Sequence, residues 1–584
     1  MRDIIFSMGL MMVVACTTSK RDMNYSTQGK NFYSELKNPA VTPVDEWSAL
    51  TENVKVSFAD DNIRYPKERV PKIASEIWSA TAWKGEKIHT QILVWTRKDI
   101  PALTVTLSDL VNEKGDQINS KSIKAGFVRY VMTDEFGEGC DERTPQKYDS
   151  SLVEDPIDII DRIEVKSNTV QPVWLTVQVP ANIPAGEYTG SVAVNAEEKF
   201  VLRISLNVAD HILLPPSEWK FDLDLWQNPD PVAKVHDVAL WSDEHYSLMR
   251  PYYEMLANAG QKSITAFIID QPWGPDHVYH RDPTFVKWSR KKDGSWSFDY
   301  SVFDRYIEFV MSCGINQRIN CYSMITWDLH YIYFDEAKGD TVSVYAKPGS
   351  QAFNDLWELM ISDFTNHLKT KGWFEKTTIA MDERNMESML EVMALLKKID
   401  PKWKTTLAGS YHREIAMDIF DYCVIIDNKF DKDILDARKV AGMPTTYYTA
   451  CGEKRPNAFT FSPPAENVWI GWYAAAEGFT GYLRWAYNNW TADVLHDTRY
   501  KTWPAGDCYQ IYPGPRTSIR FEKLIEGIQD FEKIRILKVQ FEKDRNADNK
   551  KTLEELLATF NTRNLETIPA ADMVSKAKAI LNGF

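Results

Sequence analysis

The sequence predicts a multidomain chain in which an N-terminal β-sandwich is followed by a (β/α)8, TIM-like barrel with C-terminal helices. Three observations predict it. Up to about residue 214, short alternating apolar and polar runs are separated by Pro, Gly and Asn turn chemistry, the pattern of a sandwich. After Leu213-Leu214-Pro215-Pro216 the pattern changes, and runs of strand length alternate with stretches at helical spacing. With 584 residues, 44% of them apolar and 12% aromatic, the chain can bury a large core and divide into two or three domains.

The elements follow in order. Met1 and Arg2 precede an apolar run, Ile4 to Ala15, broken only by Ser7 and Gly9. It is too short to span a bilayer and has the length of a signal-peptide core. Val13-Val14-Ala15-Cys16 resembles the lipobox of bacterial lipoproteins, which implies a signal peptide over residues 1–16, lipidation at Cys16 and an exported, membrane-anchored protein. An ordinary secretory signal cleaved nearby would export the chain as well. Residues 17–44, rich in Ser, Thr, Asn and Lys, read as a tether. The sandwich occupies residues 45–214, with strands expected at His89–Thr96, Ala102–Leu107, Val170–Val179, Tyr188–Val194 and Phe200–Val208. Phe127 to Pro156 reads as a long acidic loop whose spacing matches no EF-hand.

The barrel is expected over residues 215–541. Its strands are Phe221–Leu225, Ile264–Ile269, Gln317–Tyr322, Thr377–Met381, Thr405–Ala408, Tyr422–Ile426, Thr445–Tyr448 and Thr480–Trp485. Helical runs lie between them, among them His245–Ala259, Ala352–Leu368, Met386–Lys398 and Arg413–Phe420. A long helix from Arg516 to Phe541 closes the ring, and residues 542–584 form further helices. A doubly wound open sheet is the alternative, but no glycine-rich phosphate loop follows the first strand.

Composition narrows the partners. A formal net charge of −14 argues against nucleic acid or an anionic membrane surface, so membrane contact reduces to the lipid anchor. Cys140, Cys313, Cys321, Cys423, Cys451 and Cys508 are scattered and lack C-x-x-C pairing, so buried free thiols are expected rather than disulfides or a zinc site. With ten His and no H-E-x-x-H, neither a metal nor another cofactor is expected.

Candidate chemistry lies where the fourth strand runs out. Asp382 and Glu383 end the run Thr377–Met381, and Met386, Met389, Leu390, Met393 and Leu396 then recur at helical spacing. An acidic pair there is ordinarily a helix cap, yet in a barrel the same place is the catalytic rim. Other strand ends bring Trp226, Asp270, Trp273, Trp327, Tyr411, Asp427, Tyr448, Trp485 and Asn488 to that rim, and Asp507 follows in the Gly506-Asp507 loop. Indole and phenol faces suit the C–H face of a sugar, while Asn, Asp and Tyr read its hydroxyls. For any single Trp, core packing is the commoner reason. Twenty Trp with several clustered after barrel strands point, as a set, to carbohydrate.

Together with Asp382-Glu383, the stretches Gly481-Tyr482-Leu483-Arg484-Trp485-Ala486-Tyr487-Asn488, Gly506-Asp507 and Arg520-Phe521-Glu522-Lys523-Leu524-Ile525-Glu526-Gly527-Ile528-Gln529-Asp530 resemble glycoside hydrolase family 123 across nearly the whole mature chain. The resemblance implies an exo-acting, retaining β-N-acetylgalactosaminidase. In such an enzyme the substrate's own 2-acetamido group attacks the anomeric carbon, Asp382 steadies that group, and Glu383 is the general acid and base. Trp327, Tyr411, Tyr448, Trp485, Asn488 and Asp507 are then expected in sugar binding, with Tyr448 or Tyr411 holding the acetamido carbonyl. Two alternatives stand beside it: a non-catalytic surface glycan-binding lipoprotein, and a retaining glycosidase with a protein nucleophile drawn from Asp270 or Asp427.

Overall fold

In the computed structural model the barrel strands are β1 (Asp222–Leu225), β2 (Ser263–Phe267), β3 (Arg318–Tyr322), β4 (Thr377–Asp382), β5 (Lys404–Gly409), β6 (Asp421–Ile425), β7 (Thr445–Tyr448) and β8 (Gly481–Arg484). All eight fall where the sequence places them, to within about two residues at the ends. They pair in parallel in the order β1-β8-β7-β6-β5-β4-β3-β2. A bridge between Leu223 and Gln261 ties β1 to the residue pair before β2 and all but closes the ring. Strands such as β2 are buried at every residue because helices cover the outside and side chains fill the inside. The structure describes residues 33–39, 46–137, 139–140, 148–274 and 282–584. The signal-peptide reading and Cys16 lie outside the described residues.

Some elements differ from expectation. The helix read over Arg413–Phe420 is a single 3-10 turn, Arg413–Ile415. Residues 410–420 must leave the mouth, descend the wall and re-enter as β6, which leaves no room for more. Conversely, Pro464–Glu477 is a helix that periodicity does not reveal, because Val468, Trp469, Ile470, Trp472 and Tyr473 make it apolar all round and it is buried nearly throughout. The loops after β2 and β3 also build a small sheet from Lys287–Arg290, Trp296–Asp299, His330–Asp335 and Asp340–Tyr345.

Before the barrel, two sheets face each other over a core that includes Ile92, Val94, Val173, Leu175, Val192 and Leu206. The first sheet holds Val54–Ala59, Lys87–Thr96, Thr169–Gln178, Ile123–Thr133 and Ser151–Asp158, and it gains Thr517–Ser518 from beyond the barrel. The acidic loop expected from Phe127 to Pro156 is therefore strand at both ends. Val128, Tyr130 and Val131 are buried on one flank and Asp155 and Ile157 on the other. Within the stretch read as tether, Glu35 accepts from Arg129 Nε at 2.9 Å and pairs with Lys67.

One expectation about cysteine is overturned: Cys140 and Cys451 form a disulfide. Its halves lie 311 residues apart, one in the sandwich loop and one after β7, so only tertiary approach brings them together. Cys313, Cys321, Cys423 and Cys508 are free and buried.

The helix Ile519–Lys543 holds the two domains together. Its Gln529 exchanges two 2.8 Å hydrogen bonds with the Lys87 backbone. Glu522 accepts from Lys87 Nζ at 2.6 Å, Arg520 pairs with Asp155 at 2.9 Å, and Lys533 pairs with Glu86. Against the barrel the same helix crosses Pro464–Glu477 at backbone contact, and a Cβ on Gly471 would lie 2.0 Å from the Gly527 carbonyl oxygen. Gly471→Ala should therefore cost about 3 kcal/mol or more, because the obstacle is backbone and cannot rotate away. Chemical denaturation would measure it; a midpoint within error of the parent would show that the crossing yields.

Candidate active site

Where the barrel strands end, a cavity of about 370 Å³ opens. Asp382, the last residue of β4, and Glu383, just beyond it, both line it. The ladder carries one step past the strand, with Glu383 N–H donating to the Ala408 carbonyl of β5 at 2.7 Å. Glu383 then takes φ +49°, a left-handed conformation rare for a side chain with a Cβ. That turn has a purpose in the geometry. It keeps Glu383 out of the helix that begins at Met386, whose cap is Asn385 instead, and its carboxylate Oε1 accepts from the Tyr448 hydroxyl of β7 at 2.9 Å. On the β5 side a Cβ on Gly409 would sit 3.2 Å from Glu383 Cα, so a glycine there lets the two backbones approach.

Asp382 is braced differently. Trp273 Nε1 donates to its Oδ2 at 2.8 Å, and Arg384 Nε donates to its backbone carbonyl at 2.6 Å while the guanidinium lies 5.5 Å over the Trp327 ring. Asp382 keeps part of its surface on the cavity, but its carboxylate lies under the indoles. Burial is the largest influence and the neighbouring Glu383 the second, and together they push its pKa up to about 7. The indole donors and Arg384 hold it back. The Tyr448 hydroxyl, pushed well above its ordinary value by burial and by both carboxylates, stays a donor at any working pH.

Indoles make up the walls. Trp226 stacks on Trp273 at 5.2 Å and packs 4.6 Å from Tyr322. Across the mouth, Trp485 meets Trp503 edge-on at 5.8 Å. Trp485 Nε1 donates to Asp507 Oδ2 at 2.9 Å, and Asp507 Oδ1 accepts from Arg484 at 2.6 Å, with both side chains of that ion pair fully buried.

Of the residues expected in catalysis or sugar binding, Asp382, Glu383, Trp327, Tyr448, Trp485 and Asp507 come together on this cavity, joined by Trp226 and Trp273 from the same rim. Two of the expected binding residues do not. Tyr411 turns outward, its hydroxyl donating to Asp431 at 3.0 Å beside Phe430. Asn488 is a buried clamp, accepting from Asn228 N–H at 3.0 Å and donating to its carbonyl at 2.8 Å, which locks the end of β8 to the end of β1. Asp270 and Asp427, the candidates for a protein nucleophile, are not among the lining residues. Sequence reasoning missed Glu453, Trp503 and the Cys140–Cys451 pair, which lie in loops whose path over the mouth no periodicity signals.

A barrel with two adjacent carboxylates on an indole-lined strand-end cavity is the architecture of a glycoside hydrolase. Residues 226–537 match the glycoside hydrolase 123 catalytic domain and residues 58–196 the glycoside hydrolase 123 N-terminal domain. The chain belongs to glycoside hydrolase family 123. Among solved structures, a family 123 glycoside hydrolase from Clostridium perfringens, described in connection with glycolipid glycan hydrolysis, superposes with a TM-score of 0.83 at 27% identity, over 91% of this chain and 98% of its own. A family 39 glycoside hydrolase from Bacteroides cellulosilyticus aligns at a TM-score of 0.33 and 9% identity over 78% of this chain and 82% of its own. No curated protein matches the sequence.

The raised pKa of Asp382 makes a stability statement. Its folded value near 7 lies above the ordinary carboxylate value of about 3.9, so the folded state holds the proton more tightly. The stability contributed by the protonated form is complete below about pH 4 and is lost as pH rises to about 7. Asp382→Asn, which cannot ionise, should therefore gain melting temperature relative to the parent as pH rises from 4 to 7, with the gain level above that. A difference in melting temperature that stays constant across this range would contradict the assignment.

Proposed function

We propose that the protein is an exo-acting, retaining glycoside hydrolase that removes terminal β-linked N-acetylgalactosamine, with the sugar's own amide as nucleophile. The observation that carries this reading is the placement of two consecutive carboxylates on one strand end and one side of one cavity. A conventional retaining enzyme sets its acid and nucleophile on opposite sides of the glycosidic bond, roughly 5 Å apart, and usually takes them from different strands. An amide nucleophile removes that demand.

The steps follow from the residues. The acetamido carbonyl oxygen attacks C1 as the C1–O bond to the leaving group breaks, and Glu383 gives its proton to the departing oxygen. Asp382 accepts the acetamido N–H and stabilises the positive charge of the oxazolinium ion. Water then attacks C1 and gives a proton to Glu383, the C1–O bond to the amide breaks, and the β-configured sugar leaves. Tyr448, aimed at Glu383 and permanently protonated, can pass its hydrogen bond to the acetamido carbonyl. Tyr411, committed to Asp431, is set aside for that role.

The volume of about 370 Å³ suits one sugar residue better than a chain, which favours an exo mode. The glycolipid glycans named for the Clostridium perfringens relative support host-type glycan termini as the substrate class. The lipobox-like run ending at Cys16 supports export and anchoring of the enzyme through lipid, with no other membrane contact.

Leaving groups test the roles. Glu383→Gln should lose about 10²–10⁴ in rate on an alkyl or glycosyl substrate and far less on an aryl glycoside that departs without a proton. Asp382→Asn should lose rate on both, and equal losses from Glu383→Gln on both substrates would remove it as the acid. Because catalysis needs Asp382 ionised and its proton leaves near pH 7, kcat/KM should rise with pH through about 7. An acid limb near pH 4 would contradict that requirement.

A further inference from the structure

Glu453 lines the same cavity as Asp382 and Glu383 but comes from the loop after β7. Its Oε2 accepts from the Ala450 N–H at 2.7 Å, and among the described residues its Oε1 has no hydrogen-bond partner. The loop is built to hold it still. Asn457 Nδ2 donates to the Ala450 and Glu453 carbonyls at 2.7 and 2.6 Å, while Asn457 Oδ1 accepts from Arg484 at 2.7 Å. Between them Cys451 is bonded to Cys140 of the sandwich.

The ring decides which end of the sugar Glu453 meets. In the order β1-β8-β7-β6-β5-β4-β3-β2, three strands separate β4 from β8 in either direction, so their ends face each other across the mouth. Asp382 and Glu383 stand on β4. The charged groups that bear on Glu453 are Asp427, Asp507 and Arg484, two of them the ion pair at the end of β8, and burial raises its pKa. In a pyranose the carbon opposite C1 is C4. With C1 and the acetamido group held at β4, the far side of the ring presents the C4 hydroxyl to the β8 side.

Resting on the reading above, we propose that Glu453 is a specificity-determining residue, accepting a hydrogen bond from the O4 hydroxyl of the terminal sugar through Oε1 and thereby reading galacto against gluco configuration. A carboxylate suits the task because a charge-assisted hydrogen bond in a half-buried site is strong and directional. Nothing in the notional reaction requires Glu453 to exchange a proton, so it acts on binding of ground state and transition state alike.

The test pairs Glu453→Gln and Glu453→Ala with aryl β-glycosides of N-acetylgalactosamine, of its 3-, 4- and 6-deoxy analogues and of N-acetylglucosamine. Gln keeps an acceptor for Ala450 N–H and so guards against loss of the loop. On the parent sugar Glu453→Gln should lower kcat/KM about 10–10²-fold and Glu453→Ala more. The deficit should shrink to near unity on the 4-deoxy sugar, persist on the 3- and 6-deoxy sugars, and leave galacto over gluco preference reduced. A deficit equal on all substrates, or one that disappears with the 3- or 6-deoxy sugar instead, overturns the proposal while leaving the hydrolase reading intact. A parent enzyme that releases no sugar from any 2-acetamido glycoside overturns that reading and this inference with it.

Discussion

A parallel sheet that closes on itself has no free edge, and the rest of this molecule depends on that constraint. Each strand must leave the ring at one end and return at the other, so all eight carboxyl ends meet on one rim and all amino ends on the opposite one. The amino-terminal end is closed by charge: Arg318 of β3 donates to both oxygens of Asp222 on β1 at 2.8 and 3.0 Å and reaches Asp421 of β6 at 3.1 Å. Buried pairs of this kind contribute little net stability against apolar packing, but removing one partner strands the others. They tie three non-adjacent strands, β1, β3 and β6, together at that end, while the strand order places β4 opposite β8.

The site is held against its own tendencies. Asp382 is a carboxylate under indoles beside another carboxylate, and Glu383 sits in a backbone conformation that a non-glycine residue seldom adopts. Both are tolerated because neighbours over-determine them: Trp273, Arg384 and Tyr448 hold the polar atoms, and Gly409 yields the space. The domain interface offsets such costs elsewhere, through the many polar contacts that Ile519–Lys543 makes with the sandwich.

How much of this was legible follows from what each element is made of. The barrel strands announce themselves because short β-branched runs buried on both faces have few other uses, and the Asp382-Glu383 pair is visible because the strand stops where it begins. Helices with one apolar face read easily, whereas Pro464–Glu477, buried all round, carries no period to detect. The rim residues divide the same way. Trp485 and Asp507 adjoin strand ends or a recognisable loop, but Asn488, four residues beyond the end of β8, looks equally suited to sugar and is used to tie β8 to β1. Cys140 and Cys451 each sit in an undistinguished loop, and their partnership depends on how two domains dock, a property no local pattern encodes.

That docking gives the sandwich a part in the site and not only beside it. Asp134, just past the strand Ile123–Thr133, accepts from Ala505 N–H at 3.0 Å, and Asp155 takes Arg520 at 2.9 Å and the Tyr512 hydroxyl at 2.6 Å. These contacts position residues 504–512, which contain Asp507, as surely as the disulfide positions the loop that contains Glu453. Two of the walls around the cavity are thus barrel loops whose conformation is imposed from the neighbouring domain. The carboxylates on β4 need no such help, since the ladder and Gly409 fix them from within the ring. The β4 side of the cavity is therefore set by the barrel alone, while the side lined by Glu453 and Asp507 is set by the fit between two domains.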